Sequence, residues 1–135
     1  MPQTSSESNQ PIPTVIVSRP GIMQQSLRSS LAACPVIVVV ASFGDGLTTL
    51  NHLTQFNPGI LIVDSNLLDE EIDALIAAVK VNQPSIRCLV FLKSTQQEMR
   101  MLAAGADAVT LRDVSTPQLQ AILARLVQAA RKPET

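Results

Sequence analysis

The residue best placed to do chemistry in this chain is Asp64, in the stretch GILIVDSNLLDEE from Gly59 to Glu71. Four apolar residues end abruptly on a carboxylate, and a polar loop follows. A short run that is apolar throughout reads as a strand buried on both faces. A carboxylate at its end either leads into the next helix or stands as a reactive group at the mouth of a sheet. Other apolar runs end on polar residues too: TVIVS on Ser18, followed by Arg19, and LVFLK on Lys93, followed by Ser94. DAVTL runs into Arg112. If these ends meet, one carboxylate faces hydroxyls and up to three cations, a set suited to charge pairing or to holding an anion.

Other chemistries lack their residues. There is no G-x-S-x-G, H-E-x-x-H or Cys-x-x-Cys. Gly44-Asp45-Gly46 lacks the full glycine pattern of a phosphate loop. His52 is the single histidine and has no partner at ligand spacing, which predicts a surface residue. Cys34 and Cys88 are the two cysteines, expected as buried, reduced thiols in a cytoplasmic protein.

The elements that would position these residues alternate along the chain. Strands are expected at Thr14–Ser18, Pro35–Ala41, Gly59–Asp64, Arg87–Lys93 and Asp107–Leu111. Between them lie amphipathic stretches: Ile22, Met23, Leu27 and Leu31; Leu47, Leu50 and Leu53; Ile72, Leu75, Ile76 and Val79. The fourth stretch opens on Thr95 and Glu98, a capping-box pair, and closes at Gly105. The last has Pro117 in its first turn and a stripe of Leu119, Ile122, Leu123, Leu126 and Val127. Parallel strands apolar on both faces need helices on both sides. The expected fold is therefore α/β, a three-layer doubly wound (βα)5 sandwich on a five-stranded parallel sheet, flavodoxin-like. In such a fold the crevice lies beyond the carboxyl ends of the strands.

Composition narrows the function classes. The chain has 135 residues, 46% of them hydrophobic, enough for one domain with a core. Residues 1–12 read as a disordered polar tail, 13–131 as the domain and 132–135 as a second tail. Net charge is -1 without a basic stripe, and the only aromatics are three Phe, so no nucleic-acid surface is expected. No apolar run approaches the roughly 20 residues of a membrane span, and the N-terminal MPQTSSESNQPIP, without a basic or apolar region, is not expected to act as a secretory signal. The cytoplasm is the expected location.

The pattern over residues 13–131 resembles the receiver domain of two-component response regulators, in the style of receivers that precede helix-turn-helix output domains. AAGADAVTLRDVSTPQLQAIL, from Ala103 to Leu123, carries the most specific part of the resemblance, and FNPGILIVDSNLLDEE resembles the segment bearing the phospho-acceptor aspartate. The resemblance implies a receiver-like fold, no enzymatic activity of its own, and Asp64 as the phospho-acceptor position. It also exposes departures. The family's metal-binding acidic pair falls on Ser18 and Arg19, its Thr/Ser on Lys93 beside Ser94, its aromatic on Val109 and its Lys on Arg112. Magnesium prefers carboxylate oxygens, so magnesium binding is expected to be weak or absent, with no other cofactor. Asp64 is then expected as a paired structural carboxylate, with Lys93 or Arg112 in reach. Two alternatives stand beside this: a working receiver phosphorylated on Asp64 by a histidine kinase, and a flavodoxin-like small-ligand binder, which the lack of Trp and Tyr disfavours for flavin.

A receiver-like domain without phosphoryl chemistry signals by contact, with a kinase, an output domain or a second copy as partner. Family members use the face of the fourth helix, fifth strand and fifth helix. There the expected partner surface is Met99, Val109, Ala121, Ala124 and Gln128, where small uncharged residues allow close approach. Met101 or Met99 is expected to pack in the core.

Overall fold

The computed structural model describes residues 10–131. Five strands, β1 (Ile12–Val17), β2 (Ile37–Phe43), β3 (Ile60–Asp64), β4 (Arg87–Leu92) and β5 (Ala108–Leu111), alternate with helices. The helices are α1 (Ile22–Ala32), α2 (Gly46–Phe56), α3 (Asp69–Asn82), α4 (Glu98–Ala104) and α5 (Thr116–Arg131). All strand pairs are parallel, in the order β2-β1-β3-β4-β5. The expected doubly wound α/β sandwich is the observed one.

The period-two alternation of each strand builds two cores. Val15, Val17, Leu61, Val63, Cys88 and Val90 face one side, against Leu53 of α2, the Ile72, Leu75, Ile76 and Val79 stripe of α3, and Met101 of α4. Ile16, Ile60, Ile62, Leu89 and Phe91 face the other, against Leu27 and Leu31 of α1 and Leu119, Leu123, Leu126 and Val127 of α5. This double burial is why the central strands read as unbroken apolar runs. Strand order reverses between β1 and β3, so the crevice opens above Ser18 and Asp64.

Several local expectations are corrected. β1 begins at Ile12, inside the stretch assigned to the tail; residues 1–9 and 132–135 lie outside the described residues. Ile22 and Leu47, counted on buried stripes, are 81% and 72% exposed. Ile22 is the first residue of α1 and Leu47 the second of α2, and each side chain is turned to solvent. α2 buries Leu53 as expected, together with Gly46 and Thr49, which take the buried side of its first turn. Thr95 and Glu98 form no capping box: Thr95–Gln97 is a 3-10 turn and α4 starts only at Glu98, without a side-chain cap. Gly105 does close α4, at φ 119, where a Cβ would be strained. His52 is not a free surface group. It is half-buried, stacked on Phe43 at 5.4 Å, with Nδ1 2.9 Å from the Thr48 carbonyl.

The first and last described residues lie beside each other at the far pole of the sheet. A Cβ on Gly59 would lie 2.6 Å from Cγ2 of Ile12 and 3.7 Å from Ala130, so β1, β3 and α5 converge on a residue without a side chain. The Arg131 guanidinium donates to the Gln10 carbonyl at the same place.

Candidate functional site

Asp64 is the last residue of β3 and 2% exposed, held between β1 and β4. A buried carboxylate needs partners for both oxygens. Arg112, just past β5, donates to Oδ1 from Nε at 2.9 Å and from Nη2 at 2.6 Å. Ser18, fully buried after β1, donates its hydroxyl to Oδ2 at 3.0 Å. Both Arg112 donors converge on one oxygen, a geometry the planar guanidinium can offer and a lysine ammonium cannot. Asp64, Ser18 and Arg112, singled out in the sequence, are thus brought together.

The other crevice residues are not. Arg19 turns away from Asp64: its Nε donates to the Asn66 carbonyl at 3.1 Å and its Nη2 lies 3.5 Å from Glu71 Oε1. Lys93, expected to face the crevice, is exposed and makes none of the ion pairs found among the described residues. The physical reason is local. β4 ends at Leu92, so Lys93 lies in the following bend, where its N–H is taken by Gln97 Oε1 at 2.8 Å and its side chain is free to reach water. Ser94 is exposed beside it.

Two residues that complete the site were not singled out in the sequence. Asn66 accepts the Arg19 N–H at 3.1 Å and donates to the Ser18 hydroxyl at 3.1 Å, joining the loops after β1 and β3. Glu71 pairs with Arg19 and also accepts the Gly46 N–H at 2.9 Å, joining the loops after β1 and β2 through the first turn of α3. The signal for both was Arg19 itself: a cation where an acidic pair is expected seeks the nearest oxygens, and the polar SNLLDEE stretch supplies them. Asp45 caps α2, accepting from the Thr48 N–H at 2.7 Å. That bond, with the Thr48 hydroxyl, holds its carboxyl below the usual range.

On the α4 side the same stitching continues. Arg100 binds Asp73 at 2.7 Å and lies 3.6 Å from Asp69, and Gln97 donates to Asp69 at 2.9 Å, so α4 is tied to α3. Met99 is 82% exposed while Met101 is fully buried, so Met101 is the one that packs in the core. Val109 is half-buried, and Ala121, Ala124 and Gln128 are exposed on α5. A groove of about 470 Å³ between α4 and α5 includes Leu102, Val109, Ile122 and Ala129, with Glu98 and Arg125 at its edge. Cys34 and Cys88 are free and buried, and burial pushes the Cys88 thiol up to about 12. No cluster of three or more His, Cys, Asp or Glu able to hold a metal ion occurs among the described residues.

No protein-family model and no curated protein matches the chain. Solved structures do. The signal receiver domain of NarL from Mycobacterium tuberculosis is 16% identical at TM-score 0.77, over 88% of this chain and 98% of that one. The isolated receiver domain of RcsB from Salmonella enterica serovar Typhimurium, solved with the phosphomimetic BeF3-, is 21% identical at TM-score 0.74, over 87% and 89%. A Burkholderia pseudomallei protein described as pilus assembly-related is 20% identical at TM-score 0.76, over 93% and 96%. The class is a flavodoxin-like parallel (βα)5 sandwich. Within that class, the chain has the fold of response-regulator receiver domains.

Proposed function

We propose that this chain is a receiver-like signalling domain that acts by protein contact and does not depend on phosphoryl transfer to Asp64. The observation that carries the reading is the Asp64 carboxylate, whose two oxygens are already engaged by Arg112 and Ser18. A phospho-acceptor must present a free oxygen in line with the incoming phosphorus, with a metal or cations to neutralise the developing charge. Where a receiver would supply its acidic pair, Ser18 offers one hydroxyl bonded within the protein and Arg19 offers a cation. These residues do not fit magnesium, a hard ion that takes carboxylate and carbonyl oxygens. The positions of the family's switch hydroxyl and aromatic hold Lys93 and Val109. The domain is read as neither an enzyme nor a nucleic-acid binder. Among the described residues no helix is long and apolar enough to cross a membrane, and the cytoplasm is the location that fits this reading.

The contact surface in this reading is the α4–β5–α5 face, with exposed Met99, half-buried Val109 and the small residues Ala121 and Ala124. A kinase, an output domain or a second copy would dock there. Because α4 is tied to α3 by Arg100 and Gln97, this face is preformed and needs no event at Asp64 to assemble it.

Incubation with acetyl phosphate and magnesium, read by intact mass, separates this reading from a working receiver. No mass gain is expected. Stoichiometric phosphorylation abolished by Asp64→Asn would overturn the reading. In a companion magnesium titration, amide shifts near Asp64 should stay flat in the native chain. They should become saturable at millimolar magnesium in the S18D/R19D double variant; a saturable response in the native chain would contradict the proposed loss of the metal site.

A further inference from the structure

Beyond that contact reading, and independently of it, a second feature adjoins Asp64. A cavity of about 90 Å³ opens between α1 and the loop from β5 into α5. Its inner wall is apolar, formed by Leu27, Phe91 and Leu119, and Ser26 and Thr116 stand at its mouth. Asp64 and Arg112 line its polar end.

The polar end is unbalanced. Asp64 Oδ1 accepts two bonds from Arg112 and Oδ2 accepts one from Ser18. Arg112 spends only Nε and one Nη2 hydrogen on this pair, and a guanidinium carries further donors in the same plane. Its side chain remains 28% exposed. The cavity therefore offers donors at one end and hydrocarbon along its wall, so a complementary ligand has an acceptor head and a short apolar tail. The charge is also constrained. The Asp64–Arg112 pair is neutral as a unit, so its net pull on an anion is modest, whereas the cost of stripping water from the ligand grows steeply with its charge, which disfavours a dianion. Size sets the tail. A cavity of roughly 150 Å³ holds a benzene ring, so the smaller volume here encloses about four heavy atoms, with the remaining atoms of a short-chain ligand in the open mouth.

We propose that this cavity is a binding site for a short-chain monocarboxylate, its head on the free donors of Arg112 and its tail against Leu27, Phe91 and Leu119. Arg112 thereby serves two carboxylates, one within the chain and one from the ligand. Such a ligand would act on the loop leading into α5, and so on the α5 side of the contact face, without any covalent step.

The test is a titration of the intact chain with sodium butyrate, followed by amide shifts at constant ionic strength. Sodium phosphate and butyramide are run alongside. Saturable shifts confined to Ser26, Leu27, Phe91 and the Arg112–Leu119 segment are expected with butyrate. Butyramide should bind at least several-fold more weakly, and phosphate should leave that segment unmoved. Arg112→Met should weaken butyrate binding more than tenfold. Because that change also removes the partner of a buried carboxylate, Ser26→Trp serves as the second variant: it fills the mouth from an exposed helix position and should abolish the shifts while the rest of the spectrum is retained. Absence of saturation with butyrate, binding unchanged in Ser26→Trp, or phosphate binding as tightly as butyrate would each overturn the proposal.

Discussion

Asp64 and Asp107 are the same residue type, each tied to cations, at opposite ends of the same sheet. Asp64 closes β3 at the crevice end; Asp107 precedes β5 at the other. Asp107 receives Lys80 Nζ at 2.6 Å and the Cys88 N–H at 2.7 Å on one oxygen, with Arg87 3.6 Å from the other. Its side chain is 23% exposed, against 3% for Asp64. At the rim, water shares the charge, and each pair contributes little on its own. In the buried position water cannot; the Ser18 hydroxyl adds a neutral donor, and among the described residues the guanidinium is the only charge paired with the carboxylate. The aspartate at the end of the fold where function is usually found is thus the more structurally committed of the two.

The comparison can be broken most directly at Arg112. Arg112→Met leaves Asp64 buried with only Ser18 as a donor, and a loss of about 3 kcal/mol in urea unfolding is expected, the low end of the range for a broken buried pair because Arg112 is partly exposed. A loss below about 1 kcal/mol would place Asp64 in the same class as Asp107. Lys80→Met should cost less, about 1 kcal/mol. It removes a partly exposed ion pair together with the bond from Nζ to the Ile86 carbonyl. If it equals Arg112→Met, exposure is not what separates the two sites.

The smallest effect expected concerns the thiol beside Asp107. Burial raises the Cys88 pKa from 9.0 to about 12. A folded pKa above the unfolded one stabilises the protein below the unfolded value, and that contribution is lost as pH rises from about 9 towards 12. Stability measured across that window should fall less steeply in Cys88→Ala than in the native chain, and native Cys88 should resist alkylation at pH 8. Equal slopes would mean that Cys88 carries no proton linkage.

Much of this contrast was legible in the sequence on one side and hidden on the other. ILIV ending in Asp64 announced a central strand, and Arg112 in the position of a receiver lysine announced its partner. The α3 stripe was equally plain, because all four of its apolar residues are buried in one core with the strands. The failures fall at the ends of elements. Ile22 and Leu47 fit helical spacing but are turned to solvent in the first turns of their helices, where a short apolar pattern does not report which side is covered. Lys93 was placed by the direction of a strand that ends one residue earlier. Asn66 and Glu71 were missed because their partners are backbone groups, the Ser18 hydroxyl and Arg19 on other loops, contacts that exist only once three strand ends are adjacent.

Ile12, Gly59, Ala130 and the Gln10–Arg131 bond gather the start and finish of the described chain at the pole opposite Asp64. The order in which the sequence visits its elements is therefore separable from the shape they make. A circularly permuted chain, with residue 131 linked to residue 10 and new ends opened in the exposed turn at Pro84 and Ser85, should return to the same sheet with the Asp64–Arg112 pair re-formed. The connectivity of this molecule would then be one of several that its packing accepts.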